Sequence, residues 1–342
     1  MNKLAISVIA ILALTSVVVY KTLETEQDYS ERLKRIARSI NSQNLSWKAE
    51  NPSRFAEMTK SQVMHLMGTK IKENSEHVLN ADILEVPEDA TVPDSFSSAA
   101  TWPKCTSITE IRDQSHCGSC WAFGSTEAMS DRICITSGQV QQTKLSADDV
   151  MSCCSSCGDG CNGGDPYAAW AYFRNTGVVT GDLYGTTTTC KPYPLAPCAH
   201  HVTPKKYPAC PQNDARTPAC QRQCIPQYKK SYKSDRHFGK TYYGVNGEKA
   251  MKFDISQKGP ITVSFAVYED FLTYKSGVYY HQQGQLLGFH SVRIVGYGNE
   301  DGMDYWNVAN SWNDQWGDNG YFKIKRGVDE CGIESQGVAG DV

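Results

Sequence analysis

The sequence predicts an α+β fold. A helical half and a strand-rich, barrel-like half pack as two subdomains about a central cleft, behind an N-terminal leader. Three observations predict this. From Trp121 to Ile135 apolar residues recur at helical spacing: Trp121, Ala122, Phe123, Ala128, Met129 and Ile133. After Gly259 the pattern changes to strand-like runs at Ile261–Val267, His290–Tyr297, Tyr305–Ala309 and Gly320–Lys325, with Gly and Asp turns between them. All 14 cysteines lie at or after Cys105, so the first part of the chain differs in composition from the rest. A helical segment followed by a strand-rich one packs as two layers with a crevice between.

At the N-terminus, Lys3 precedes an apolar run from Leu4 to about Tyr20, the pattern of a secretory signal peptide over residues 1–20. Seventeen residues that include Thr15 and Ser16 are short for a membrane span. The chain is therefore expected in the secretory pathway, bound for a lysosome or the extracellular space, with no membrane attachment once the signal is removed. In that oxidising compartment cysteines pair.

Next, Leu33, Ile36, Ala37 and Ile40 predict a helix over Asp28–Ile40, with Asp28 and Glu31 as a capping pair. Asn44-Leu45-Ser46 is an acceptor pattern for N-glycosylation at Asn44. A second helix is expected at Thr59–Met67, opened by Thr59 with Gln62 and stopped by Gly68. Asn80–Pro93, acidic and proline-containing, reads as an exposed linker. Helices this short are not stable alone and should pack on the body. Cys153, Cys154, Cys157, Cys161, Cys190, Cys198, Cys210, Cys220 and Cys224 fall in a Gly-, Pro- and Thr-rich stretch, expected to be stapled loop. With 342 residues, 40% of them hydrophobic, there is ample material for a core. A net charge of −3 gives no reason to expect nucleic acid or an acidic lipid surface as partner.

The chemistry centres on Gln114-Ser115-His116-Cys117-Gly118-Ser119-Cys120-Trp121. A thiol becomes a good nucleophile when an imidazolium or a helix N-terminus stabilises its thiolate. Cys120 stands where the predicted helix begins, with Ser119 as its cap. Among eight histidines, His290 opens an apolar strand-like run and is placed to act as base. Asn310, in Ala309-Asn310-Ser311-Trp312, would hold the other ring nitrogen and fix the tautomer, and Trp312 would cover that bond from water. Gln114 would donate a side-chain N–H, beside the Cys120 backbone N–H, to a developing oxyanion. Each residue alone has a structural explanation; the four in this order point to acyl transfer through a thioester. A purely structural disulfide module would leave them unexplained.

These residues resemble the papain-like cysteine peptidases, which carry a Cys-Gly-Ser-Cys-Trp block and a later His and Asn-Ser-Trp in this order. His290 and Asn310 lie 170 and 190 residues beyond Cys120, more than the usual 130–150 or so, which implies an insertion. Cys198-Ala199-His200-His201 within Cys190–Cys224 looks like the occluding loop of the cathepsin B-like group, and Glu110–Gln114, Cys161-Asn162-Gly163-Gly164 and Asp318-Asn319-Gly320 match that group too. The match is close over residues 92–340. The resemblance implies a zymogen with a propeptide over 21–91 that runs through the cleft as inhibitor, processing near Glu85–Val92, and a peptidase over 92–342. It implies Cys120 as nucleophile, His290 as general base and acid, Asn310 as orienter and Gln114 as oxyanion donor. Gly163 and Gly164 would hydrogen-bond an extended peptide. His200 and His201 would receive a C-terminal carboxylate, allowing removal of dipeptides besides endopeptidase action. The implied disulfides are Cys105–Cys134, Cys117–Cys161, Cys153–Cys220, Cys154–Cys157, Cys190–Cys224 and Cys198–Cys210, leaving Cys120 free and Cys331 as a buried thiol. Peptides and proteins are the expected substrates, the protein is expected to be monomeric, and no metal or other cofactor is expected.

Four departures qualify the resemblance. Gln336 replaces an acidic residue at the base of the pocket for the second side chain before the scissile bond, so basic side chains should lose their advantage. Phe289 replaces the glycine before the catalytic histidine, where a ring would narrow the leaving-group side or shift the base. Ser115-His116 replaces Gly-Ser, and a serine would be strained if the backbone there has positive φ. Of two ion pairs that hold the loop, Asp113–His200 is matched, whereas Lys206 would face the neutral Gln315, with Asp314 one position earlier. Losing that clamp should open the loop. Phe289 and Ser115 also raise the alternative of a catalytically impaired papain-like binding protein.

Overall fold

The computed structural model describes residues 29–50, 55, 58–70, 76–198, 206–211 and 213–342. The predicted signal peptide, Asp28, His200 and His201 lie outside the described residues.

The leader opens with helix α1 (residues 29–41), which buries Leu33, Ile36, Ala37 and Ile40 as their spacing predicts. Strand β1 (Trp47–Ala49) follows, then helix α2 (Lys60–His65). Thr59 and Gln62 form a reciprocal capping box at its start: the Thr59 hydroxyl accepts from the Gln62 N–H, and the Gln62 side chain accepts from the Thr59 N–H. Helix α3 (Glu76–Leu79) and strand β2 (Asp82–Ile83) lead into β3 (Phe96–Ser97) and the short α4 (Ser98–Thr101). The linker is exposed as expected, but it also pairs: β2 adds itself in parallel to β4 (Tyr243–Gly244).

The helical half is built on α5 (Cys120–Thr136), flanked by α6 (Ala147–Cys153) and α7 (Pro166–Asn175). The apolar stripe read from the sequence understates how deeply α5 lies, because Ser125, Thr126, Glu127, Ser130, Asp131 and Arg132 are buried too. Ser125, Thr126 and Ser130 return their hydroxyls to carbonyls one turn back, so they need no water. Arg132 pairs with Asp254 of α8 (Glu248–Lys258) and donates to the carbonyls of Gly259, Pro260 and Gly340. Arg293 reaches back from the sheet to Asp131 at 2.6 Å. One helix thus ties the two halves by paired buried charges, which are costly to break singly.

The strand-rich half contains β5 (Ile261–Tyr268), β6 (Tyr274–Tyr279), β7 (Leu286–Glu300), β8 (Met303–Ala309), β9 (Tyr321–Lys325) and β10 (Gly337–Ala339). The strand order is β1-β6-β9-β8-β7-β5-β10-β4-β2, with β3 against β7. Leader strands therefore lie at both ends of this order. Strand β7 begins at Leu286, so His290 is interior to the strand rather than at its start. Leu286-Leu287-Gly288-Phe289 extends it, because this stretch finds partners in β5 through Ala266, Val267 and Tyr268. The core of this half gathers Phe265, Phe271, Trp306, Trp312, Trp316 and Phe322 together with Leu33, Ile40, Trp47, Leu66 and Met67 of the leader. The leader helices are thus stable by packing on the body, as their length requires.

Candidate active site

Cys120 is the first residue of α5. The loop before it is held by the Cys117–Cys161 disulfide and by the Gly118 N–H bonded to the Cys161 carbonyl. Ser119 stands at the N-cap but does not cap. Its backbone (φ −103°, ψ 14°) is not extended, and its hydroxyl meets Tyr193 Oη at 2.9 Å instead. The Cys120 Sγ is fully buried, 3.5 Å from the Thr69 hydroxyl. Burial pushes the thiol up; the N–H groups of Ser291, Gly68 and Trp121 and the Thr69 hydroxyl offset part of this.

His290 is also fully buried. Its Nε2 lies 2.8 Å from Asn310 Oδ1, which accepts in addition from the Ser311 N–H. An oxygen that accepts twice fixes the imidazole tautomer: Nε2 carries the proton and Nδ1 the lone pair. That Nδ1 is buried without a hydrogen-bond partner among the described residues. Burial lowers His290 to about 4, although the Asn310 bond pulls the other way. The covered site thus holds a neutral thiol and a neutral imidazole. Trp312 lies 4.7 Å from the imidazole, centroid to centroid, and is buried beneath Phe55 of the leader.

The Gln114 side chain donates to the Leu66 carbonyl at 3.0 Å and to the Cys117 carbonyl at 2.8 Å. Its oxygen accepts from the Ser311 hydroxyl, so the amide is held in one orientation. The donor expected to meet a developing oxyanion is occupied here by a leader carbonyl. Residues 68–70 continue as a short strand. Gly164 donates to the Gly68 carbonyl at 2.8 Å and accepts from the Lys70 N–H at 2.9 Å, while Phe289 accepts from the Thr69 N–H at 3.1 Å. Both bridges are parallel.

Of the two glycines, only Gly164 pairs with the strand; Gly163 uses its N–H and carbonyl within its own turn, on Gly160 and Asp159. Gly163 instead permits the approach: a Cβ there would stand 2.7 Å from the Gly68 carbonyl oxygen. The Phe289 ring is 44% exposed whereas His290 is 0% exposed, because neighbours on a strand face opposite ways. The ring does not cover the base. Ser115 does take up the positive φ, at 59°.

The six disulfides are Cys105–Cys134, Cys117–Cys161, Cys153–Cys220, Cys154–Cys157, Cys190–Cys224 and Cys198–Cys210. Cys120 and Cys331 are free, and Cys331 is partly exposed rather than fully buried, on a tight turn with its Sγ toward Glu330. The second loop clamp is present in another register. Lys206 pairs with Asp314, not Gln315, because the left-handed turn at Asn313 (φ 55°) sends Asp314 outward and leaves the Gln315 side-chain oxygen buried. Both partners are about half exposed, so the pair contributes at most about 1 kcal/mol. The Gln336 side-chain oxygen is buried without a partner among the described residues, and Asn44 is exposed. Tyr193 and Ser311 hold Gln114; Ser311 lies within the Asn-Ser-Trp run, whereas Tyr193 carries no local sequence signal and only its fold-wide partners mark it.

The papain family cysteine protease profile matches residues 92–340. The chain is 53% identical over 256 residues to cathepsin B-like cysteine proteinase 6 of Caenorhabditis elegans, covering 74% of this chain and 67% of that protein. It is 48% identical over 297 residues to a cathepsin B-like cysteine proteinase of Schistosoma japonicum, covering 86% of each. Among solved structures, procathepsin B S9 from Trypanosoma congolense superposes with a TM-score of 0.76 at 34% identity, over 91% of this chain and 97% of that one. This chain belongs to the papain family of cysteine proteases, alongside its cathepsin B-like members.

Proposed function

We propose that the chain is the zymogen of a peptidase that cleaves peptide bonds through a Cys120 thioester, with residues up to about 91 as its inhibitory propeptide. The observation that carries this is the His290–Asn310 bond at 2.8 Å, which leaves Nδ1 as the free base in the cleft that buries Cys120. Once the leader leaves, water reaches the site and the desolvation that holds both groups neutral is relieved. His290 Nδ1 then takes the Cys120 proton and Sγ attacks the substrate carbonyl. The oxyanion is met by the Gln114 amide, whose donor now holds the Leu66 carbonyl, and by the Cys120 N–H. His290 returns the proton to the leaving amine, and water, deprotonated by the same nitrogen, releases the acid. Gly164 and the Phe289 carbonyl would pair with an extended substrate as they do with residues 68–70.

The test is a thiol titration of the processed protein: one equivalent of iodoacetamide at Cys120 should abolish hydrolysis. Full activity after stoichiometric labelling there would sink the reading. Six disulfides favour a secretory, lysosomal or extracellular setting, and no helix among the described residues is long and apolar enough to cross a membrane.

Two refinements follow from single residues. Gln336, with its buried unpartnered oxygen, would form the base of the pocket for the second side chain before the scissile bond. Gln336→Glu should raise kcat/KM for arginine over phenylalanine there by about tenfold or more, since a buried charge pair replaces a neutral contact; an unchanged ratio places Gln336 outside that pocket. We also propose that His200 and His201 give carboxydipeptidase activity and that the Lys206–Asp314 pair helps to seat their loop. Asp314→Ala should shift products toward endopeptidase cleavage by no more than about fivefold, the ceiling for an exposed ion pair, and less in high salt. Mass spectrometry of products from one peptide with free or amidated C-terminus reads that ratio.

A further inference from the structure

We propose that Tyr193 and Ser115 are positioning residues that join the oxyanion wall to the base of the 190–224 excursion as one hydrogen-bonded unit, so that catalysis depends on how the excursion is seated. This rests on the assignment of Gln114 as oxyanion donor.

The unit is continuous. Tyr193 Oη donates to the Gln114 carbonyl at 2.9 Å. Its single proton being used, it accepts from the Ser119 hydroxyl at 2.9 Å. The Ser115 hydroxyl donates to the Ala196 carbonyl at 2.8 Å. The Asp113 carboxylate accepts from the Ser115 N–H at 2.7 Å, the Cys198 N–H at 3.2 Å and the Asn313 amide at 3.1 Å. Residues 113, 114, 115 and 119 on the catalytic side thus each bond to this set, which reaches 193, 196 and 198 on the excursion. Phe123 of α5 fixes the Tyr193 ring edge-on at 4.7 Å, and burial pushes the phenol up, so it stays a donor. The Cys190–Cys224 disulfide closes the excursion at its base.

Ser115 bears on this from another side. At φ 59° a glycine would be unstrained and a serine is not. What serine adds there is the bond to Ala196, which a glycine cannot make. Gln114 is otherwise anchored through Ser311, by its N–H and its side-chain oxygen, and through the Cys117 carbonyl, to which its amide donates at 2.8 Å. Among the described residues its own carbonyl is its one bond to the excursion, and a misplacement of about 1 Å can cost ~10²-fold in rate.

The experiment compares Tyr193→Phe, Ser115→Gly and Ser115→Ala in the full-length chain processed to the active peptidase. Hydrolysis of a peptide amide with a blocked C-terminus gives kcat and KM. Alkylation by iodoacetamide gives the reactivity of the Cys120 thiolate alone, because sulfur displaces iodide from carbon and no oxyanion forms. Tyr193→Phe should lower kcat about tenfold, with KM within about twofold and the alkylation rate unchanged. Ser115→Gly should lower kcat several-fold while the melting temperature holds or rises, since strain is lost with the bond; Ser115→Ala should lower both. Wild-type kcat in both Tyr193→Phe and Ser115→Gly overturns the proposal. So does a fall in alkylation parallel to hydrolysis, which would place the effect on the nucleophile. Failure of iodoacetamide to abolish hydrolysis in the unsubstituted protein would instead refute the thioester mechanism.

Discussion

Gly68→Val in the leader is expected to expose Cys120 without any proteolysis. A Cβ at Gly68 would stand 1.8 Å from the Gly118 carbonyl oxygen and 2.3 Å from its carbon. Both are backbone atoms of the loop pinned by the Cys117–Cys161 disulfide, so neither can yield. The segment must lift. With it go the Leu66 carbonyl on Gln114, the bonds of Gly68 and Lys70 to Gly164, the Thr69 N–H on Phe289 and the Thr69 hydroxyl beside Cys120. Even three of these hydrogen bonds, at about 1 kcal/mol each, correspond to roughly a hundredfold rise in the open population. The rest of the leader keeps its seat through the Arg32–Glu269 ion pair at 2.7 Å and β1 on β6. Alkylation of the leader-bearing chain by iodoacetamide at pH 4–8 is the measurement. The unsubstituted chain should react slowly throughout, because burial holds the thiol up and the imidazole down at about 4. The variant should react about 10²-fold faster with an unchanged circular dichroism spectrum. Equal rates would mean that residues 66–70 do not block the site.

Asn310→Ala should cost the processed peptidase about 10²-fold in kcat with little change in KM. Among the described residues Asn310 Oδ1 is the partner of His290 Nε2. Without it a buried N–H is orphaned and the ring is free to flip, which would present the wrong nitrogen to Cys120. The sign of the pH effect is fixed as well. The Asn310 bond raises the imidazole pKa, so its loss lowers it further. The imidazolium partner of the thiolate is then lost at lower pH, and the alkaline limb of kcat/KM should move to more acid values. A uniform fall in rate with an unmoved alkaline limb would leave Asn310 a structural role only. Ser311 also loses an acceptor for its N–H, so some loss of stability accompanies either outcome.

How much of this was legible before folding differs by residue. The Thr59–Gln62 capping box and the apolar spacing of Leu33, Ile36, Ala37 and Ile40 are local, within one or two helical turns, and the structure carries both as the sequence predicts. His290 is legible from its apolar strand-like run and Asn310 from the Asn-Ser-Trp run, and their order resembles a known family; β7 and β8, paired antiparallel with one register shift, bring them together. Ser119 was misread as a cap because the competing partner, Tyr193, is 74 residues away. Lys206 was matched to the wrong residue because a single left-handed turn at Asn313 decides which of two neighbours faces out.

By itself, then, the sequence carried the expected chemistry: which thiol its resemblance leaves free, which imidazole and amides are expected to serve it, and that a cysteine-free leader precedes a cysteine-rich body. These are properties of residue type, spacing and order. Tertiary structure alone decided the state of that chemistry. It placed a leader carbonyl on Gln114, left His290 Nδ1 without a partner, and set Ser115 and Tyr193 as the link between the oxyanion wall and the excursion. Each of these is a hydrogen bond, or the lack of one, between groups about fifty or more residues apart. No local pattern specifies such a pair, because the energy that selects it is the burial of both partners at once.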